Sequence, residues 1–268
     1  MKLYYSIFKM KLISTLQYKA AALSGIATQL FFGLIYILVY IAFYESNQMN
    51  TYPLDMKVLV NYIWLNQALF SLTYIWLQDK DLLSMIKNGN IAYELCRPVN
   101  FYFKWYFTMY ASRLAKLALR FIPVILIAFL LPYPYNMTLP PNLLTFIIFL
   151  ISLIISSLLV TSITMLFHLI VFFTLDEKGI LTFLMVVGEI FEGGEVPLAF
   201  FPKTLKAIAY VLPFRYICDL PFNIYSGTIS IKNALLNTSI GFIWFIILLI
   251  LGIKLSQKAL KKSSIQGG

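Results

Sequence analysis

The chain has 268 residues, 60% of them apolar and 12% charged, with a mean hydropathy of +0.82. A soluble domain carries about 25% charge, and one soluble core cannot absorb this much apolar surface, whereas a bilayer can. The net charge of +10 would suit nucleic acid, but the basic residues stand beside apolar runs, which reads as positive-inside loops with no nucleic-acid partner.

Residues 1–19 mix Lys2, Lys9, Lys11 and Lys19 with Tyr4, Ile7, Phe8 and Leu12, which predicts an interfacial helix. A first span follows over 20–44. It is too long for a signal-peptide core, and no small-residue cleavage site follows it, so it is expected to be retained. Further spans are predicted over 57–78, 105–131, 143–174, 180–192 and 233–254, since a crossing needs roughly 20 apolar residues. Between the second and third spans lies the longest hydrophilic stretch, 79–100. Asp79–Lys87 predicts an amphipathic helix with Leu82, Leu83 and Ile86 on one face. Asn88-Gly89 is a turn, and Ile91–Cys96 a second short helix stopped by Pro98. Such a segment either presents its apolar knobs and charges to a cytoplasmic partner or lies on the headgroups.

The fifth span is interrupted by Gly188, Glu189, Glu192, Gly193, Gly194, Glu195 and Pro197, and the chain beyond it is punctuated by Pro202 and Pro213. This predicts a helix and then a re-entrant segment over 193–213, whose backbone must be covered by protein or face water. Two readings fit it: a water-exposed loop, or an outer gate hinged at Gly193-Gly194 and wedged by Pro197 and Pro202, with Glu192 and Glu195 beside the hinge. With both termini in the cytoplasm, the basic residues outside are Lys57, Lys203, Lys206, Arg215 and Lys232. Arg120 falls within the third span, and the remaining fifteen of the 21 lie inside, which favours that orientation. Cys96 and Cys218 then fall on opposite sides and should not pair. The fold class is therefore an all-α integral membrane protein with six transmembrane helices, one domain over 1–268, in the cytoplasmic membrane.

Chemistry is sparse. The sequence contains no Walker phosphate loop, no Gly-x-Ser-x-Gly turn and a single histidine, His168, so neither a two-histidine metal site nor a nucleophile is expected. Ser157, Thr161, Thr164 and His168 are spaced 4, 3 and 4 and share one face of the fourth span. That face serves close helix packing or lines a pathway. Arg113, Lys116 and Arg120 line one face of the third span, either snorkelling to the inner interface or, for Arg120, facing protein, water or an anionic headgroup.

These pieces resemble the permease subunits of type-two ATP-binding-cassette exporters over nearly the whole chain. The resemblance is carried by the interfacial helix and six spans and by Gly89-Asn-Ile-Ala-Tyr-Glu-Leu-Cys-Arg-Pro-Val-Asn100. The most specific motifs are Gly194-Glu-Val-Pro-Leu-Ala-Phe-Phe-Pro202 and Leu212-Pro-Phe214. The ending Leu95-Cys-Arg-Pro-Val-Asn100 is similar to a subfamily often encoded with a second, similar permease. The resemblance implies a half-transporter, with no enzyme activity or cofactor of its own. It pairs with an identical or similar permease, and two ABC ATPase subunits carrying ATP and magnesium dock beneath. Docking would fall on 1–19 and 79–99, through Leu82, Leu83, Ile86, Tyr93, Glu94 and Arg97. The cargo would be amphipathic: drug, lipid or peptide. Glu192 and Glu195 depart from the family by making the outer segment more acidic than a dry plug. The alternatives are an ion-coupled secondary transporter, a non-transporting assembly or immunity subunit and, with no catalytic pair visible, an intramembrane enzyme.

Overall fold

The structure, a computed structural model, describes residues 2–46, 52–88, 90, 94, 98–174 and 177–266. Among the described residues every regular element is a helix.

Helix α1 (Lys2–Leu16) lies against α5 (Phe101–Leu130). Its inward stripe is Tyr4, Ile7, Phe8, Lys11, Leu12 and Thr15, all at helical spacing. The Tyr4 ring sits 5.9 Å from that of Phe107, and its hydroxyl accepts from the Asn100 amide at 3.1 Å. The outward side carries Leu3, Tyr5, Met10 and Ile13 exposed between lysines, a pattern suited to a membrane surface.

Helix α2 (Lys19–Ser46) buries only Ala22, Gln29, Gly33 and Ile37, one narrow face. Helix α3 (Met56–Thr73) is the opposite case, buried on nearly all sides although it carries Asn61, Asn66, Gln67 and Ser71. In lipid, apolar burial does not drive helix association, so close packing and hydrogen bonds must. Gly33 shows how. A methyl group there would stand 2.7 Å from Cζ3 of Trp64, so the missing side chain is the notch into which the indole fits.

Helix α4 (Lys80–Lys87) is capped by Asp79, whose Oδ1 accepts the amides of Asp81 and Leu82 at 3.1 and 3.0 Å. Asn100 caps α5 and Asn142 caps α6 (Leu143–Ile170) in the same way. Helix α6 runs on as a 3-10 turn, Val171–Phe173. Helix α7 (Glu177–Glu192) stops at Gly193, whose φ of +72° is the left-handed conformation that ends helices. The chain then forms a 3-10 turn at Leu198–Phe200, α8 (Lys203–Val211), a second turn at Pro213–Tyr216 and α9 (Asp219–Tyr225). Helix α10 (Ile231–Gln266) packs along α6.

Among the described residues, three stretches are long and apolar enough to cross a bilayer: Lys19–Ser46, Leu143–Phe173 and Ile231–Lys261. The other expected spans fall short for visible reasons. Helix α3 has 18 residues and several amides, α5 carries Lys104, Arg113, Lys116 and Arg120, and α7 has 16 residues with two glutamates in its last turn. The second short helix expected over Ile91–Cys96 and the turn glycine Gly89 lie outside the described residues, Glu94 apart. Cys96 does too, so of the two cysteines only Cys218 is seen, buried and free.

Candidate functional site

The last carbonyls of any helix lack intrahelical partners. At the end of α3, Arg113 supplies them. Its Nη1 donates to Leu72 O at 3.1 Å and to Tyr74 O at 2.7 Å, placing a cation at the negative end of the helix dipole. Nη2 donates to Thr164 Oγ1 at 3.3 Å, which ties α5 to α6. Arg113 is fully buried, so it does not reach for the interface.

One turn further, His168 Nδ1 donates to Thr164 O at 2.6 Å, and its Nε2 accepts the backbone amide of Asp79 at 3.0 Å. A nitrogen that accepts from an N–H must carry a lone pair, so the ring is neutral with its proton on Nδ1. A continuous chain of polar contacts thus runs from the α4 cap, through α6, to Arg113 and the end of α3. Apart from the His168–Thr164 step along α6, each link joins residues distant in sequence, and most are buried.

The rest of the polar face of α6 bonds back to its own helix, with Ser157 Oγ also 3.3 Å from the Tyr110 hydroxyl of α5. Ser157 donates to Ile154 O at 2.7 Å and Thr161 to Ser157 O at 2.7 Å, and both are buried. These hydroxyls serve packing and back-bonding. Arg120 lies over Gly25 of α2 and donates to Ala21 O at 3.1 Å, so its guanidinium faces protein.

On α4, Leu82 is fully buried within the chain's own core. Leu83 and Ile86 are half-buried, while Lys80, Asp81, Ser84 and Lys87 are exposed. Anything meeting the exposed side of α4 therefore meets Leu83, Ile86 and these polar side chains. Glu94 is buried and paired with Lys104. Tyr93 and Arg97 lie outside the described residues.

The C-terminal end of α7 is dense with polar contacts. Trp76 Nε1 donates to Glu189 Oε2 at 2.8 Å, and the Tyr62 hydroxyl donates to Gly193 O at 2.6 Å. Glu192 is buried, and its Oε2 has no hydrogen-bond partner among the described residues. Gly194 faces Asn66 and the Glu192 carboxylate. Glu195 and Pro202 are exposed, and Pro197 is buried. In the following segment, Asn223 Nδ2 donates to Asp219 Oδ1 at 3.0 Å, and Arg215 stacks 3.7 Å over the Tyr210 ring. Burial pushes the Asp219 carboxyl up to about 6, against the pull of Arg215 and Asn223.

Sequence reasoning missed the clamp of Asn61, which donates to Thr138 Oγ1 at 2.8 Å and accepts from the Thr138 amide at 2.7 Å. An amide inside an apolar run was the signal that could have found it. A family model described as "ABC-2 family transporter protein" matches residues 23–267. No curated protein matches the chain.

Proposed function

The chain belongs to the ABC-2 transporter family, and on that premise we propose that it is the permease half of an ATP-driven exporter. It is a membrane transport subunit, and its family works with ABC ATPases. In the finer reading, α2, α3, α5, α6, α7 and α10 cross the cytoplasmic membrane, with both termini inside. The amides of α3 and the cations of α5 support this reading, because most are sheltered by protein rather than lipid. A second permease, identical or similar, completes the pathway. Two ATPase subunits, holding ATP and magnesium, dock beneath α1 and the 79–100 segment. The cargo is amphipathic.

The observation that carries this reading is the anchoring of α4. When the ATPases close they displace α4, and the Asp79–His168 contact passes that displacement to α6. Thr164 and Arg113 pass it on to α5 and the end of α3. Packed helices with few alternative arrangements respond by switching rather than by bending. Both His168 nitrogens are occupied by backbone groups, which leaves it poorly suited to shuttle protons for an ion-coupled carrier.

The test is co-purification of the tagged permease with its ATPase, comparing the native chain with the double variant Leu83→Glu, Ile86→Glu. The expected result is a loss of most of the ATPase from a permease whose yield is unchanged. An undiminished ATPase yield would sink the docking assignment. Uptake of an amphipathic dye driven by a proton gradient without ATP would favour the secondary transporter instead.

A further inference from the structure

A cleft of about 220 Å³ opens between α1, the connector leading into α4, and α5. Its walls are Lys11, Leu77, Gln78, Asp79, Lys80, Asp81, Met109, Ser112 and Lys116. We propose that this cleft binds the phosphate of an anionic phospholipid from the cytoplasmic leaflet.

The charges are arranged for an anion. Lys11 is the one cation on the inward stripe of α1, where its neighbours are apolar residues packed on α5. Lys116 lies in the fields of Arg113, Arg120 and Lys11, with Asp79 the opposing charge. Among the described residues, Lys11, Lys80 and Lys116 make no ion pair or hydrogen bond, and the Ser112 hydroxyl makes none either. The Lys11 and Lys116 charges therefore stand near one another at the cleft with no ion pair or hydrogen bond, and Lys80 and Ser112 also line it. Two carboxylates share the walls. Asp79 is already engaged by the two amides of the α4 cap, and Asp81 is exposed. Holding like charges together is unfavourable, and an anion placed among them relieves the repulsion.

The ligand is a lipid rather than a soluble phosphate because of where the cleft lies. Its outer lip is α1, whose outward side exposes Leu3, Tyr5, Met10 and Ile13. Such a helix rests in the interface, with its lysines at headgroup depth. A phosphodiester entering from the leaflet meets Lys11 and Lys116, while its acyl chains stay beside α1 and the apolar outer half of α5. The inference rests on the membrane placement of the chain and not on the docking of an ATPase to α4.

The experiment is native mass spectrometry of the purified full chain in neutral detergent, titrated with phosphatidylglycerol, phosphatidylcholine or inorganic phosphate. The native chain should retain phosphatidylglycerol in preference to phosphatidylcholine. Lys11→Gln with Lys116→Gln should weaken phosphatidylglycerol binding about thirtyfold, the product of about a fivefold loss for each lysine near a charged surface. Lys11→Arg with Lys116→Arg should restore most of it, which guards against misfolding of the glutamine variant. Lys2→Gln with Lys9→Gln removes the same charge from the outward side of α1 and should change binding by less than about threefold. An equal loss in that control, or equal retention of phosphatidylcholine, would overturn the proposal. Displacement of the lipid by millimolar inorganic phosphate would assign the cleft to a soluble anion. Displacement by the ATPase subunit would assign it to acidic residues of the partner. Either result also overturns the proposal.

Discussion

Replacing His168 with phenylalanine keeps a ring of similar size in the site but removes both nitrogens. The Asp79 amide, buried and donating to Nε2 at 3.0 Å, is then left without an acceptor. A buried donor stripped of its partner costs about 1–3 kcal/mol. Thr164 O also loses the Nδ1 proton, but that carbonyl remains close to its own helix ladder, so the larger share falls on the α4 cap. If α4 undocks as a local unit, that cost multiplies its open population by about 5- to 150-fold. Hydrogen exchange followed by mass spectrometry reads this directly, because a peptide covering Lys80–Lys87 should exchange faster by that factor, while one covering α9 should not change. His168→Asn, whose side-chain oxygen can accept a hydrogen bond, should recover part of the protection. Unchanged exchange across α4 in His168→Phe would refute the claim that this contact holds the helix. Faster exchange there with undiminished transport would refute the claim that the contact carries the motion.

Truncating Arg113 to methionine leaves Leu72 O and Tyr74 O unpaired at the end of α3. It should cost about 2–4 kcal/mol, seen as a lowered Tm in detergent, and lysine should recover less than half because it has no fork to span both carbonyls. Gly33→Val must move Trp64, whose ring would stand 2.7 Å from the new Cβ. A destabilisation of about 1–3 kcal/mol is expected by the same assay, and a neutral result would mean that the α2–α3 contact is loose. The raised carboxyl of Asp219 makes the folded state the better proton binder, from 3.8 to about 6. Stability should therefore fall as pH rises through that window, by at most about 3 kcal/mol. Asp219→Asn should flatten the profile between about pH 4 and 6, and a profile unchanged by the substitution would disprove the assignment.

Much of the helical layout was legible because it rests on local pattern. The caps Asp79, Asn100 and Asn142 are short polar acceptors placed just before helical runs, and each accepts from the first turn of the helix it begins. The stop at Gly193 was legible in part. Gly-Gly after an acidic helix end marks a break, but only the backbone shows that Gly193 alone takes the left-handed conformation. The polar faces were visible as spacing and ambiguous as function. Periodicity says which residues share a face of a helix, not what that face meets. Leu82 shows the cost. On α4 it reads as a knob for a partner, yet the chain folds α4 back so that Leu82 meets the core.

Composition and apolar run length by themselves decided that the chain resides in a membrane and that it is helical. These depend on transfer of side chains into lipid and on hydrogen bonds within a few residues of each other. The tertiary structure alone decided which atom satisfies which. Arg113 caps a helix that ends about forty residues earlier, and His168 holds an amide eighty-nine positions away. No local rule encodes such pairings, because a buried polar group takes whichever partner the packing brings within reach.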